Sequence, residues 1–501
     1  MTLKLAPRWL FALATLVWIG CEGPDSSPRI RLSHFQLNLD PSTLSDVESR
    51  TVASLIHGGL VAVDSEGNVL PRLAERWQQI DSTTWEFNLR TGAKFTDGSK
   101  VDAESVVRSL CWAMQPTHLY SWALASIEHK TTNGNDVECT GLSTMGTSVV
   151  RIREHRSVPW LLQALDSPAG WIVGNPGSQP GPWGVRPGVG PYQIEAVETD
   201  ESVRLSRRAG GTVEAGCASI IFRHLSDPLV AAKTFVQGQI DLMRVDTPQT
   251  MGFMQQRNVH LLGHKFGRVR VVLVSRRALT SKGMSDQQIE TFISAYGQAT
   301  DRTRIAELTK GLAQPMQTAF PPAAFLESYT PRVKGRDARA LPSVALTVLT
   351  ANDSFSDLIA AYLPERVGNV TLDYRAVEPS LLLNRFLEGD ADLVSMLIEP
   401  TLDAPVFWSA FWTPGSSFVA FGTPIPQFEN LTFVDQSDIE VAATAVDQKG
   451  NWIGVLRENG YLAVSNRLRA ECVNNFETPV VGSLVSNAAL PRVRVAWVLE
   501  S

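Results

Sequence analysis

The stretch WEFNLRTGAKFTDG, from Trp85 to Gly98, carries the clearest local structure in the chain. Its apolar residues alternate with polar ones from Trp85 to Leu89, which predicts a β-strand with one buried face. Thr91-Gly92 and Asp97-Gly98 are turn dipeptides. The stretch therefore predicts a β-hairpin region whose aromatic side chains pack in a core rather than contact a ligand.

A helix is predicted directly after this hairpin region. Asp102 is a suitable N-cap, and apolar residues recur at helical spacing from Val106 to Met114. Between Ser343 and Leu397 strand and helix patterns alternate, with strands at 344–349, 370–374 and 393–397 and helices between them. Such alternation favours a parallel sheet with helical crossovers, so the predicted fold class is α/β.

Composition limits the broad class of protein. The chain has 501 residues, which suggests about three domains or lobes. Hydrophobic residues make up 44% and charged residues 19%, as in an ordinary globular protein, so wholesale disorder and a polytopic membrane protein are disfavoured. The formal net charge of −6 argues against nucleic acid as a partner.

The N-terminus has the pattern of an export signal. Lys4 and Arg8 precede an apolar run, Trp9 to Gly20, that is short for a membrane span, and Cys21 follows a small residue. This arrangement resembles a bacterial lipoprotein signal. We expect residues 1–20 to be a signal peptide and 21–28 a tether lipidated at Cys21, with a plain signal or an uncleaved helix as the alternatives.

Four further cysteines bear on disulfide formation. In an oxidising compartment Cys111, Cys139, Cys217 and Cys472 could form two disulfides, in any of three pairings. Buried free thiols are equally compatible with the sequence. No CxxC motif joins them, so a zinc site is not expected.

Common catalytic motifs are absent from the sequence. The chain has no G-x-S-x-G elbow, no H-E-x-x-H motif and no Walker A loop, and its eight histidines do not cluster at ligand spacing. Gly188-Val189-Gly190 leads into a strand and is interpreted as a structural turn. We expect no catalytic residue, cofactor or metal, although a hydrolase site assembled from distant positions stays an alternative.

Several spaced segments together resemble the family 5 extracellular solute-binding proteins, the peptide- and nickel-binding components of ABC importers. The resemblance is convincing from about residue 29 to 245 and looser afterwards. Its strongest part is Trp85 to Gly98 with the helix start Val101 to Val107. The other matching segments are Leu39-Asp40-Pro41, His57-Gly58-Gly59-Leu60-Val61, Leu70 to Trp77, Gly188-Val189-Gly190-Pro191-Tyr192 and Gly238-Gln239-Ile240-Asp241.

This resemblance implies a periplasmic-binding-protein-like fold of the class II type, with two hinged mixed-sheet lobes plus an extra lobe. Lobe I would comprise 29–70, 188–282 and 462–501, extra lobe II 71–187, and lobe III 283–461. The lobes would close over a ligand without changing it chemically. Pairing Cys111 with Cys139 and Cys217 with Cys472 would keep each disulfide within one lobe.

The resemblance also implies ligand contacts after the strand that ends near Leu397. Glu399 or Asp403 is expected to hold a cationic group, and an ordinary solvated loop is the alternative. Trp408 and Trp412, four residues apart, could form a stacking wall, although the same spacing is how a helix buries one face.

Two segments nearer the N-terminus are further candidates. Ser45, Asp46 and Val47 correspond to a loop that contacts peptide backbone in the resembling proteins, and helix capping explains them nearly as well. Tyr120 and Trp122 match an aromatic of the extra lobe that reaches the cleft, with surface packing as the alternative.

The predicted function is that of an exported lipoprotein in the periplasm or at the cell surface, a monomer attached to the membrane through its lipid alone. It would capture a peptide or similar small polar solute and present it to an ABC permease with its ATPase. The alternative on the same fold is a ligand-binding or sensing lipoprotein without transport.

Overall fold

The computed structural model describes residues 27–33, 39–44, 47–63, 69–132, 136–155, 157, 161–181, 184–198, 202–208, 217–316, 337–398, 412, 425–426 and 436–465. Strands alternate with helices along most of this length. The strands are β1 (Arg29–Leu32), β2 (Val61–Val63), β3 (Val69–Pro71), β4 (Ala74–Asp81), β5 (Thr84–Leu89), β6 (Lys130–Thr131), β7 (Val137–Glu138), β8 (Leu142–Met145), β9 (Val149–Arg153), β10 (Tyr192–Val197), β11 (Ser202–Arg207), β12 (Ser219–His224), β13 (Leu242–Val245), β14 (Leu261–Val274), β15 (Ala313–Pro315), β16 (Val344–Ala351), β17 (Arg366–Val367), β18 (Val370–Val377), β19 (Leu393–Ile398) and β20 (Trp452–Val464). The α-helices are α1 (Val47–Ile56), α2 (Ala103–Ala113), α3 (Leu161–Ala164), α4 (Pro228–Val236), α5 (Pro248–Gln256), α6 (Arg276–Ser281), α7 (Asp286–Ala299), α8 (Arg302–Leu308), α9 (Ser354–Ala360), α10 (Pro379–Glu388) and α11 (Gln436–Lys449).

One 12-stranded mixed sheet runs through the described residues and consists of two similar halves. Its strand order is β10-β11-β12-β1-β13-β20-β14-β19-β16-β18-β17, with β15 paired to β20. In the first half β1 lies parallel to β12 and β13, and β20 runs antiparallel beyond β13. In the second half β16 lies parallel to β18 and β19, and β14 runs antiparallel beyond β19. The alternation predicted between Ser343 and Leu397 is thus confirmed.

The two halves are joined by a pair of long antiparallel strands, β14 and β20. Residues Leu261 to Lys265 of β14 pair with the end of β20 that contacts β13. Residues Val269 to Val274 pair both with the beginning of β20 and with β19. The pairing of β14 with β20 is irregular between Lys265 and Val269 and again between Arg270 and Val271. Irregular pairing bends and twists a strand locally, so this place, which we call the crossing of β14 and β20, is the candidate hinge between the two halves.

The first part of the region predicted as a hairpin, Trp85 to Leu89, lies in β5 of a separate four-stranded antiparallel sheet with order β4-β5-β9-β8. The rest of the region forms turns outside this sheet, with one isolated bridge between Lys94 and Lys100. Phe87 is fully buried, and Gly98 takes a left-handed backbone conformation (φ +85°) in the turn after β5. Asp102 caps α2 in a capping box with Ser105, as the sequence predicts. These residues build a scaffold, in agreement with their interpretation as core, turn and cap.

The glycines of the Gly188-Val189-Gly190 segment permit close packing against the end of α1. A Cβ atom at Gly188 would lie 2.1 Å from the carbonyl oxygen of Ile56, and one at Gly190 would lie 2.3 Å from that of Leu55. Any side chain would therefore push the two backbones apart. The segment is structural, as predicted.

Two features of the described residues bear on the broad class of protein. No helix there combines the length and apolar character needed to cross a bilayer. Within the same residues no group of three or more His, Cys, Asp or Glu side chains is arranged to hold a metal ion. The lobe boundaries at 70, 187, 282 and 461 stay a prediction.

Candidate functional site

Carboxyl ends of parallel strands from both halves of the sheet meet beside the crossing of β14 and β20. In open α/β sheets this edge is where ligands bind. A small cavity of about 10 Å³ lies there, which is room for about one water molecule. It is lined by Arg244, Val245, Asp246, Leu312, Phe355, Glu458 and Asn459. Because its walls come from both halves and from β20, we take this place as the candidate ligand cleft between them.

Asp246 forms the wall of this cavity on the first half of the sheet. It directly follows β13, and its Oδ2 atom lies 3.4 Å from Nη1 of Arg31 on the neighbouring strand β1. The Arg31 side chain is only 2% exposed and also donates Nε to the carbonyl oxygen of Leu225. The Oδ1 atom of Asp246 is buried and accepts no hydrogen bond from the described residues. A buried carboxylate oxygen without a donor is energetically unfavourable, so this atom is suited to receive one.

Arg270 ties the crossing strands to the second half of the sheet. It lies on β14 and forms an ion pair with Glu458 on β20, in which both side chains are largely buried. Its Nη1 donates to Oγ of Ser356 at 3.1 Å, and its guanidinium group lies 4.5 Å from the ring centre of Phe355. Since Ser356 and Phe355 are in the first turn of α9, Arg270 positions that helix start against the cleft.

A second buried ion pair joins the segment after β1 to the segment before β10, at a place that we call the junction. Asp40 accepts a hydrogen bond from Nε of Arg186 at 2.8 Å, and its other oxygen accepts from the backbone N–H and the hydroxyl of Ser42. Arg186 also donates to the carbonyl oxygens of Pro176 and Ser178, and its guanidinium group lies 4.8 Å from the ring centre of Trp112. Both Asp40 and Arg186 therefore have several hydrogen-bond partners.

Two buried histidines flank the same ion pair. Burial lowers the pKa of His57 to about 4, and nearby Asp40 opposes the shift. Burial likewise lowers the pKa of His118 to about 4, with the same opposition. The His57 ring stacks on Trp171, and Nδ1 of His118 accepts the backbone N–H of Tyr120. Both imidazoles are therefore neutral core groups at neutral pH.

Tyr120 lies beside His118, with ring centres 6.3 Å apart. Its side chain is buried, and its hydroxyl donates to the carbonyl oxygen of Leu44 at 2.7 Å. Nη1 of Arg50 donates to the same hydroxyl at 3.0 Å. These bonds connect the segment after α2 to the segment around the start of α1.

The other predicted contacts fall in several places. Trp412 is fully buried, and its ring centre lies 4.7 Å from that of Trp452. Val47 is the first residue of α1, and Trp122 lies in a 3₁₀ helix, Ser121–Leu124. The predicted contacts outside the described residues are Ser45, Asp46, Glu399, Asp403 and Trp408. The structure therefore does not bring the predicted set together in one described site.

One of the two preferred disulfides lies within the described residues. Cys111 and Cys139 are bonded, with an S–S distance of 2.07 Å. Cys217 is buried, and the Tyr192 hydroxyl donates to its carbonyl oxygen at 3.0 Å. Cys472, its preferred partner, lies outside the described residues, as does Cys21. The bond between Cys217 and Cys472 stays a prediction.

The residues that line the cavity were not predicted from the sequence. Asp246 ends the segment Gly238-Gln239-Ile240-Asp241-Leu242-Met243-Arg244-Val245-Asp246, and an acidic residue directly after a buried strand was the available signal. Glu458 and Phe355 gave no comparable signal, because the cavity forms only when α9 and β20 meet in the fold.

Comparison with known proteins identifies the family. The sequence model of the bacterial extracellular solute-binding proteins, family 5 (middle part), matches residues 68–345. The periplasmic murein peptide-binding protein MppA of Escherichia coli is 23% identical over 358 residues, which cover 68% of this chain and 64% of MppA. A putative binding protein of Haemophilus influenzae is 30% identical over 134 residues, 26% of each chain. The matched segments thus span between about a quarter and just under two thirds of these relatives.

Solved structures show the same fold. The structure of the E. coli murein tripeptide binding protein MppA aligns with a TM-score of 0.71 at 16% identity, covering 88% of this chain and 94% of that one. The H. influenzae OppA complex with the peptide RPPGFSPFR aligns with a TM-score of 0.72 at 14% identity over the same shares. These likenesses confirm the predicted periplasmic-binding-protein-like fold. Together with the sequence match over more than half of its length, they establish that this chain belongs to the bacterial extracellular solute-binding proteins of family 5.

Proposed function

We propose that this protein is an extracytoplasmic solute-binding lipoprotein. It captures a peptide or peptide-like small solute between its two lobes and delivers it to an ABC permease with its ATPase. The observation that carries the proposal is the family match over residues 68–345, together with a sheet built from two similar halves. A ligand that contacts both halves favours the closed form over the open one, which couples binding to closure.

The similarity of the two halves supports acidic residues on both sides of the cleft. Asp246 directly follows β13, the third parallel strand of the first half. Glu399 directly follows β19, which has the same place in the second half. We therefore retain Glu399 and Asp403 as proposed contacts for a cationic group of the ligand.

Native mass spectrometry of the soluble form beginning at Glu22 tests the capture of a solute. The protein, gently purified from its own cells, is expected to carry a peptide or other small solute of defined mass. Addition of peptide pools to emptied protein is expected to raise its melting temperature. Empty protein that shows no thermal shift with any peptide pool would contradict peptide capture.

Lipid attachment and delivery need a separate experiment in cells. The wild-type protein is expected in the membrane fraction with a mass that shows lipid on Cys21, and Cys21→Ser is expected in the soluble exported fraction. Uptake of the identified solute is expected to require both the permease and this protein. Uptake that persists at the wild-type rate without this protein would contradict delivery.

A further inference from the structure

The cavity beside the crossing strands suggests one chemical group of the ligand. Its walls present three groups with acceptor oxygens: the free Oδ1 of Asp246, the carboxylate of Glu458 and the side-chain amide of Asn459. Nδ2 of Asn459 donates to the carbonyl oxygen of Gly311 at 3.0 Å, which leaves its amide oxygen as the acceptor. A space of one water molecule beside acceptor oxygens, among them the unpaired Oδ1 of Asp246, suits a small donor group such as a primary ammonium group.

The charges around the cavity sharpen this argument. The lining contains two carboxylates, Asp246 and Glu458, and one guanidinium group, that of Arg244. Arg31 and Arg270, which do not line the cavity, each pair with one of these carboxylates. The pair of Arg31 with Asp246 is long, at 3.4 Å, and uses only Oδ2. The attraction for a cation therefore comes from the unused acceptor atom of Asp246 rather than from a large net charge.

We propose that Asp246 is a specificity-determining residue that accepts a hydrogen bond from a primary ammonium group of the ligand at the hinge end of the cleft. The inference rests on the proposed capture of a solute and assigns a substrate class to it, solutes with a primary amine. This contact comes from the first half of the sheet. It adds to the contacts proposed for the acidic residues after β19, and it supplies a contact that closure of the cleft would bury.

Binding of small peptides by calorimetry tests the proposal. The probes are trialanine and its N-acetylated form, and Ala-Lys-Ala and the same peptide acetylated on the lysine side chain. The first pair reports on the α-amine and the second on a side-chain amine. The proteins are wild type, Asp246→Asn and, as a control, Asp286→Asn, whose side chain is 87% exposed at the start of α7.

For one of the two pairs, wild type and Asp286→Asn are expected to bind the free amine at least about tenfold more tightly than its acetylated form. Asp246→Asn is expected to lose that preference, and the affected pair identifies which amine occupies the site. If Asp246→Asn keeps the wild-type preference in both pairs, the proposal is overturned. It is also overturned if wild type prefers the free amine in neither pair, a result that would mean the cavity holds water. Failure of every peptide to bind wild type contradicts peptide capture itself. Melting curves confirm that both variants are folded.

Discussion

Two buried ion pairs in this protein differ in how fully their carboxylates are satisfied. At the junction, both oxygens of Asp40 accept hydrogen bonds at 3.0 Å or less from Arg186 and Ser42. At the cleft, Asp246 has one contact of 3.4 Å to Arg31 and one buried oxygen without a donor. A satisfied pair holds two parts of a structure together, whereas an unsatisfied carboxylate keeps capacity for a ligand.

The surroundings of the two ion pairs also differ. The Asp40 pair is enclosed by Trp112 and by the neutral imidazoles of His57 and His118, all held in the core. The Asp246 pair borders a cavity and the crossing strands, where the ladder is irregular. The first site is thus expected to respond to substitution mainly through stability, and the second mainly through binding.

The largest expected effect is that of Asp40→Asn. This change leaves the buried guanidinium group of Arg186 without its counter-charge, which typically lowers the free energy of unfolding by about 3 to 5 kcal/mol. Urea denaturation measures the loss. The matched control is Glu104→Gln, which breaks an exposed pair with Arg108 and should change stability by less than about 0.5 kcal/mol. Equal losses in the two variants would remove the distinction between the ion pairs.

Acidification should weaken the same junction. The pKa values of His57 and His118 are about 4 in the folded protein and about 6.5 when unfolded, so the unfolded chain binds more protons between these values. Stability is therefore fully present above pH 6.5 and falls as the pH drops towards 4, by about 3 kcal/mol for each histidine. Urea titrations at several pH values measure this slope.

A variant isolates the histidine contribution from other titrating groups. Burial raises the pKa of Asp166 to about 6, against the effect of Arg72, so this carboxyl group acts in the opposite direction and favours the folded state as the pH falls through 6. His118→Gln keeps a side-chain acceptor for the Tyr120 N–H and should reduce the loss between pH 6.5 and 4 by about 3 kcal/mol. An unchanged pH slope in this variant would show that His118 is not neutral in the folded protein.

An intermediate effect is expected for Arg270→Lys at the crossing strands. Lysine keeps the charge opposite Glu458 but loses the contact with Ser356 and the packing on Phe355. We expect the free energy of unfolding to fall by about 1 to 2 kcal/mol, as judged by urea denaturation. Arg304→Lys, at an exposed pair with Glu307, serves as the control. A loss no greater than in the control would mean that the planar guanidinium group does not matter at this position.

Local sequence patterns predicted the scaffold better than the cleft. The hairpin region, the Asp102 cap and the parallel order after Ser343 depend on residues close in sequence, so periodicity and capping reveal them. The cavity joins Asp246 to Glu458 across more than 200 positions, and no local pattern marks such a meeting. The contacts of Tyr120 had no local signal either, because its hydroxyl bonds to Arg50 and Leu44, which are 70 and 76 positions away in sequence.

The smallest effect on stability should come from Asp246→Asn. This variant tests whether the two ion pairs differ in role. The change removes the negative charge opposite Arg31 and turns one acceptor oxygen into a donor, while it keeps the shape of the side chain. We expect the free energy of unfolding to fall by about 1 kcal/mol, less than for Asp40→Asn, because Asp246 is 23% exposed and lies 3.4 Å from Arg31, whereas Asp40 is 7% exposed and lies 2.8 Å from Arg186. Urea denaturation beside Asp40→Asn gives the measurement. A loss as large as that of Asp40→Asn would show that Asp246 holds the fold, whereas a small loss together with weaker amine binding would show that its carboxylate serves the ligand.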